Sequence, residues 1–326
     1  MSETTASLSR KISSAGDLQS VVRTMKALAA SSIGQYEKSM HALADYSRTV
    51  ELGLSACFRE SKSQVLNVEP KRETNAVVIG AVVFGSDQGL VGQFNDVVAD
   101  DAIKTLAALP GKPQVWAVGE RIHSRLADAG LPLMKLFALP NSVRAITPLV
   151  GQILEASVTR SNQAEVTELH LFYNSPTSGA VYAPVSQRLL PLDVNWCRKL
   201  AELPWPTRNL PEVMGSGTAT LRALIHEYLF ISLFRACAAS LASENASRLA
   251  AMQRAEKNID ELLEHLQSTF HRLRQSGIDE ELFDVISGFE ALSKGKSGGA
   301  CRARPSVTNT EAAHRSTLES PTKGQS

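Results

Sequence analysis

Between Thr218 and Ser276 there is neither a glycine nor a proline. That absence excludes short strands and tight turns over 59 residues and predicts one helix of roughly 90 Å at about 1.5 Å per residue. Cysteine is scarce, with four in the chain. Cys57, Cys197, Cys237 and Cys301 are scattered without a C-x-x-C pair, which argues against a disulfide scaffold or zinc ribbon and fits a reducing compartment. Charge of one sign is also missing: 34 Lys and Arg face 33 Asp and Glu, a net of +1, so no overall field attracts nucleic acid. Residues 1–8 lack the apolar core of a secretory signal. No apolar run is free of charge, because the most apolar window, 221–242, holds Arg222, His226, Glu227 and Arg235. That composition argues against a membrane span.

The long stretch carries a heptad seam. With a at Leu221 and d at Leu224, the a positions are Leu221, Tyr228, Arg235, Ala242, Leu249, Glu256, Leu263 and Phe270. The d positions are Leu224, Ile231, Ala238, Asn245, Met252, Ile259, Leu266 and Leu273. All are apolar except Arg235, Asn245 and Glu256, so a second helix is expected along this face. The three polar exceptions read as register-setting residues. The candidate partner is residues 7–58, read as one helix with an apolar a row of Ala15, Val22, Ala29, Tyr36, Leu43, Val50 and Cys57. Its d row, Leu18, Met25, Ser32, Ser39, Tyr46 and Gly53, is weaker. Gly16, Gly34 and Gly53 each cost about 1 kcal/mol against alanine, so this helix needs a partner. Helices at opposite ends of a chain that folds back pair antiparallel. The expected shaft is therefore 7–58 against 218–292.

Between them, residues 75–192 read as a separate small α/β domain, expected to fold alone and to be catalytically inert. Ala76–Phe84 is a continuous β-branched apolar run, as in a buried strand. Asn95 is expected to cap a helix to Leu109. Gln114–Val118 is a strand, Glu120–Ala129 a helix, Leu133–Leu139 a strand, Pro148–Arg160 a helix and Val166–Tyr173 a strand. A turn at Pro176–Gly179 leads to a last strand, Ala180–Leu190. This alternation predicts a mostly parallel, Rossmann-like sheet with a hairpin at one edge. Residues 193–217, with Pro204, Pro206 and Pro211, read as a linker. Residues 293–326 hold six basic and two acidic side chains with few large aliphatics, a composition expected to be a disordered basic tail.

Chemistry-bearing motifs are incomplete. Gly85–Gly92 follows a strand and precedes a helix but matches neither G-x-G-x-x-G nor a P-loop. His226-Glu227 opens an H-E-x-x-H pattern that ends on Phe230, where a second zinc ligand is needed. No catalytic residue, cofactor or metal site is expected. A stand-alone coiled-coil scaffold and a nucleotide-binding α/β enzyme with helical arms are the rival readings of such a chain.

Three motifs decide between them. Ser9–Ser14 (SRKISS) is followed by Val22-Arg-Thr-Met-Lys-Ala-Leu-Ala-Ala-Ser31. Ser243-Glu-Asn-Ala-Ser-Arg-Leu-Ala-Ala-Met252 lies in the long helix, with Asn258, Arg274-Gln275-Ser-Gly-Ile278, Glu281-Leu282 and Val285–Gly288 beyond it. Ser86-Asp87-Gln-Gly89-Leu90-Val-Gly92-Gln-Phe-Asn95 lies in the middle domain. From about Leu8 to Leu292 the chain resembles the gamma subunits of F-type ATP synthases. It departs from their pattern at Gln88, where arginine is usual, and at Val91, where cysteine is usual. Ser32-Ile33-Gly34-Gln35 stands where basic residues normally follow, and the tail is longer. These departures fit a divergent gamma, including the accessory sodium-translocating kind.

The resemblance implies a central stalk, one copy per complex, inside a ring of three alpha and three beta subunits. The epsilon subunit and the membrane c-ring would lie at its foot, and nucleic acid is not a partner. It implies a peripheral membrane protein on the cytoplasmic face of the bacterial inner membrane, coupling ion flow to ATP synthesis or hydrolysis by rotation. Carried over residue by residue, it places Met25, Lys26, Arg248, Arg274 and Gln275 against the ring. It makes Ser86, Asp87, Gly89, Gly92 and Asn95 the motif of the foot.

Overall fold

The computed structural model describes residues 4–60, 78–159, 167–178, 181–209, 211–212 and 217–296. Helix α1 (Thr5–Ala42) and helix α2 (Ala44–Glu60) open the chain. Strand β1 (Val78–Phe84), helix α3 (Phe94–Ala108), strand β2 (Lys112–Val118), helix α4 (Glu120–Asp128) and strand β3 (Leu133–Phe137) follow. Helix α5 (Val143–Leu154) widens into a π-helical turn at Glu155–Thr159, then come strands β4 (Glu168–Ser175) and β5 (Ala183–Leu190). Helix α6 (Val194–Glu202) precedes helix α7 (Gly217–Lys296), which is 80 residues long.

The two chain ends pair antiparallel, as the seams require. Arg23 Nε donates to Glu256 Oε1 at 3.0 Å, Gln19 meets Asp260, and Tyr46 Oη donates to Glu227 Oε2 at 2.8 Å. Partners thus step down one helix as they step up the other. Every seam position of α7 is buried or half-buried except Arg235. That arginine instead lines a cleft of about 670 Å³ together with His41, Arg48, Glu51 and Leu203. Glu256 is the polar seam residue that bridges the helices, since both Arg23 and Lys26 of α1 bind its carboxylate. Asn245 is satisfied within α7, its Nδ2 donating to the Leu241 carbonyl at 2.8 Å.

The first helix differs from the single element expected. It breaks at Leu43, whose N–H still reaches the Ser39 carbonyl at 3.2 Å, so the axis shifts rather than ends. Tyr36 and Met40 pack into the core around the sheet, whereas Val50, Leu54 and Phe58 pack against Cys197 and Leu200 of α6. A straight helix does not serve both cores. Glycine is not required at Gly16 or Gly34, where a Cβ meets nothing within 4 Å. Gly16→Ala and Gly34→Ala are each expected to raise stability by about 0.5–1 kcal/mol, read as a higher denaturation midpoint. Gly53→Ala is the contrast: its Cβ would lie 3.1 Å from the Leu224 side chain, so the gain should shrink or reverse.

The sheet runs β3-β2-β1-β4-β5, parallel through its first four strands, with β5 antiparallel to β4. Alternation along β1 sends Ile79, Ala81 and Val83 to the face covered by α3 and α4. It sends Val82 and Phe84 to the other face, covered by α5 and by α7 through Leu229, Leu233, Phe234 and Leu241. The shaft is therefore one wall of the foot, and α7 completes the core on that face of the sheet. The same burial explains the apolar character of α7: the helix is long and apolar enough to cross a membrane, yet 56% of its most apolar 18 residues are buried inside the protein.

Three further expectations are corrected. Residues 194–202 of the expected linker form α6, capped by Asp193, whose Oδ1 accepts from Asn195 N at 2.9 Å, and anchored by buried Cys197 and Leu200. Pro148 does not open its helix but lies inside α5. There the burial of Ile146, Leu149, Val150, Ile153 and Leu154 outweighs one missing backbone bond. The helix α7 continues to Lys296 rather than stopping at Leu292, and residues 297–326 of the expected tail lie outside the described residues.

Candidate functional site

Three regions hold the residues singled out by the sequence: the loop after β1, the paired shaft and the far end of α7. In the loop, Ser86 is fully buried. Its N–H donates to Asn95 Oδ1 at 2.9 Å, and Asn95 Nδ2 returns a bond to Ser86 Oγ at 2.8 Å. Asn95 therefore does not cap α3 as expected; it closes the loop onto the helix, and Gln93 holds the cap position. Asp87 uses both oxygens, accepting from Glu120 N at 3.0 Å at the start of α4 and from Leu139 N at 3.1 Å after β3. A carboxylate at the first turn of a helix is favoured by the free amides there. Gly119 closes the same junction, with φ +113° and space for a Cβ only 2.8 Å from the Ser86 backbone. Gly89 meets only Arg121, at 3.7 Å from where a Cβ would stand.

The loop ends in a left-handed pair. Leu90 has φ 64° and Gly92 φ 58°, a conformation costly for leucine. Leu90 is 61% exposed while Val91 is 2% exposed. The Val91 carbonyl accepts from Ser247 Oγ of α7 at 2.5 Å. Gly92 lies against the same serine and against Arg254. The foot motif is thus brought onto the shaft at Ser243–Arg254, two motifs far apart in sequence. An open groove of about 920 Å³ beside this contact is lined by Tyr182, Gln253, Arg254 and Lys257. The sequence reading missed it, because no motif marks the two cations. Their i, i+3 spacing on α7 was the available signal.

Arg248 and Lys26 prove to be engaged within the chain. Arg248 is 14% exposed at its side chain and binds Glu244 Oε1 at 2.6 Å. Glu244 is 4% exposed, and burial pushes its carboxyl up against the pull of Arg248. Lys26 shares Glu256 with Arg23; the hydrogen bonds from both hold that carboxylate below its usual range, the one from Lys26 foremost. Met25 is half-buried beside them on α1. Arg274 and Gln275, by contrast, are exposed and have no hydrogen bond or ion pair among the described residues.

Beyond them α7 runs past the start of α1. Ile278, Leu282, Phe283, Val285, Ile286 and Phe289 are 46–73% exposed. Large apolar side chains gathered at one end of a helix mark a surface made for a partner. Ile278, Leu282, Val285 and Ile286 lie in the motif that continues beyond Arg274-Gln275, whereas Phe283 and Phe289 carry no motif and lie past the end of the heptad seam. No group of three or more His, Cys, Asp or Glu side chains suited to a metal occurs among the described residues.

Comparisons with known proteins agree with one another. A family model described as ATP synthase matches residues 4–292. An ATP synthase gamma chain of Clavibacter michiganensis is 30% identical over 302 residues, spanning 88% of this chain and 97% of that one. In fold, the chain is similar to one from the Euglena gracilis mitochondrial ATP synthase, at TM-score 0.59 and 15% identity, covering 92% of this chain and 98% of that one. It is also similar to a chain from the central stalk and c-ring of the Tetrahymena thermophila mitochondrial ATP synthase, at TM-score 0.51 and 20% identity, covering 72% and 99%. On the matched residues and the identity along nearly the whole relative, this chain belongs to the ATP synthase gamma chain family.

Proposed function

We propose that the chain is the rotor shaft of an F-type ATP synthase, one copy turning inside a ring of three alpha and three beta subunits. The observation that carries the reading is the overhanging end of α7, a long helix whose apolar side chains from Ile278 to Phe289 are exposed among the described residues. An apolar tip on a rod fits a bearing formed by other subunits. The foot, with its sheet and the loop at Ser86–Gly92, would face the epsilon subunit and the c-ring at the cytoplasmic face of the bacterial inner membrane. No residue of the chain need touch nucleotide. A single asymmetric rod offers a different face to each of three beta subunits and so biases each one's conformational equilibrium differently. Turning the rod cycles each site through binding, chemistry and release.

Of the residues expected to meet the ring, Arg274 and Gln275 are exposed and without a hydrogen bond or ion pair among the described residues; at the foot loop, Arg254 and Lys257 line the open groove. Lys26 and Arg248 are held by Glu256 and Glu244 and support the reading less. Co-expression with alpha and beta subunits should recover one copy of the chain per ring. Arg274→Ala should lower ATP-driven rotation of that complex and leave the fold of the chain unchanged, since a partly desolvated guanidinium pairs strongly with carboxylates. Recovery of the chain alone, as a self-associated rod, would favour the scaffold reading instead.

A further inference from the structure

In doubly wound α/β sheets, ligands bind in the crevice beyond the carboxyl ends of the strands, at the point where strand order reverses. In this sheet the reversal lies between β1 and β4, the central neighbours in the order β3-β2-β1-β4-β5. β1 ends at Phe84 and feeds the Ser86–Gly92 loop; β4 ends at Asn174-Ser175. The shaft occupies that place. Ser243 Oγ donates to the Asn174 carbonyl at 3.2 Å, and Ser247 Oγ donates to the Val91 carbonyl. Asn174 Nδ2 in turn holds the Phe94 carbonyl at 2.9 Å, at the start of α3.

The composition of α7 changes where it crosses the crevice. Its buried polar side chains among the described residues are Ser240, Ser243, Glu244, Asn245 and Ser247, all within two turns. Buried polar groups in a shaft are costly unless bonded, and Asn174 Oδ1, Ser240 Oγ and Glu244 Oε2 have no hydrogen-bond partner among the described residues. An apolar segment would cover the sheet at lower cost. The strained Leu90 on the opposite side carries the same meaning: an unfavourable backbone is kept so that the Val91 carbonyl faces Ser247.

We propose that Ser240–Arg248 of α7 is a built-in ligand of the foot, filling the crevice in which other sheets of this kind hold a nucleotide. The plug is the joint that makes foot and shaft turn as one body. This rests on the rotor reading for its purpose, but not for its geometry. It gives Ser243 and Ser247 the role of positioning residues, which hold the foot in register with the shaft and touch no partner.

Hydrogen exchange on the purified full-length chain tests the joint without any ring. Ser243→Ala/Ser247→Ala should speed exchange in 86–92 and 174–175 by about thirtyfold, the combined effect of losing two modest hydrogen bonds. Exchange near Arg23 and Glu256 should stay as it was. Ser247→Thr, which keeps the hydroxyl, should restore protection of the 86–92 loop. Unchanged exchange in the double variant, or acceleration spread evenly over the chain, would overturn the joint. In the assembled complex, the double variant should retain ATP hydrolysis while moving fewer ions per ATP. Loosened exchange in a chain that never assembles with alpha and beta subunits would leave the joint standing and remove the rotor reading.

Discussion

Phe283→Ser/Phe289→Ser is expected to weaken association of the chain with a ring of alpha and beta subunits by at least about tenfold, since each phenylalanine is worth roughly 1.5–3 kcal/mol when fully buried. The free chain should melt as before. Both side chains are largely in solvent in the isolated protein, 70% and 73% exposed, so removing their rings takes nothing from its core. The two readouts separate a partner surface from a structural one. A titration of fluorescent chain into preformed rings gives the first, and a denaturant melt of the chain gives the second. Undiminished ring binding would mean that the tip is idle, and the weight of the proposal would shift to Arg254, Lys257 and the foot loop. A lowered melting midpoint without any loss of binding would mean that the overhang packs within the chain.

Met252→Asp should destabilise the chain by at least about 3 kcal/mol, combining the loss of a buried side chain with burial of a carboxyl group in an apolar seam. Met252 is a d-position residue, 3% exposed. Leu262→Asp is the matched contrast, on the same helix but off the seam and 49% exposed, and should cost within about 0.5 kcal/mol. Met252→Leu, which nearly conserves volume, should cost less than about 1.5 kcal/mol. Equal destabilisation by the two aspartates in guanidinium denaturation would mean that the heptad frame does not define the buried face. The seam would then not be what holds α1 to α7.

The errors of the sequence reading share a cause. Asn95 is a good N-cap residue three positions beyond a glycine, and local rules place it at a helix start; a buried serine nine residues earlier claims its side chain instead. Pro148 is a good first helical residue by the same rules, yet the apolar stripe from Ile146 to Leu154 draws the helix back to Val143. The prolines after Glu202 masked α6, a nine-residue helix held by Cys197 and Leu200 against α2. In each case burial and packing, through a neighbouring loop, the helix's own apolar stripe or a distant helix, overrode a sound local preference.

What could be read in advance was periodic or short-ranged. The seam of α7 repeats every seven residues, and a period survives any uncertainty about its partner. The strands announced themselves as β-branched runs, and alternation with helices implied a parallel sheet. The Ser86–Asn95 motif marked its own loop. Its partners could not be read in the same way: Val91 meets Ser247 across 156 positions, and no period links them. Folding alone decided that the shaft covers one face of the sheet and that its serines enter the crevice between β1 and β4. A helix has several faces, and the sequence of one helix shows which are apolar but not what each will meet. The meeting is set by the path of the whole chain, because burial pairs surfaces that lie far apart along it.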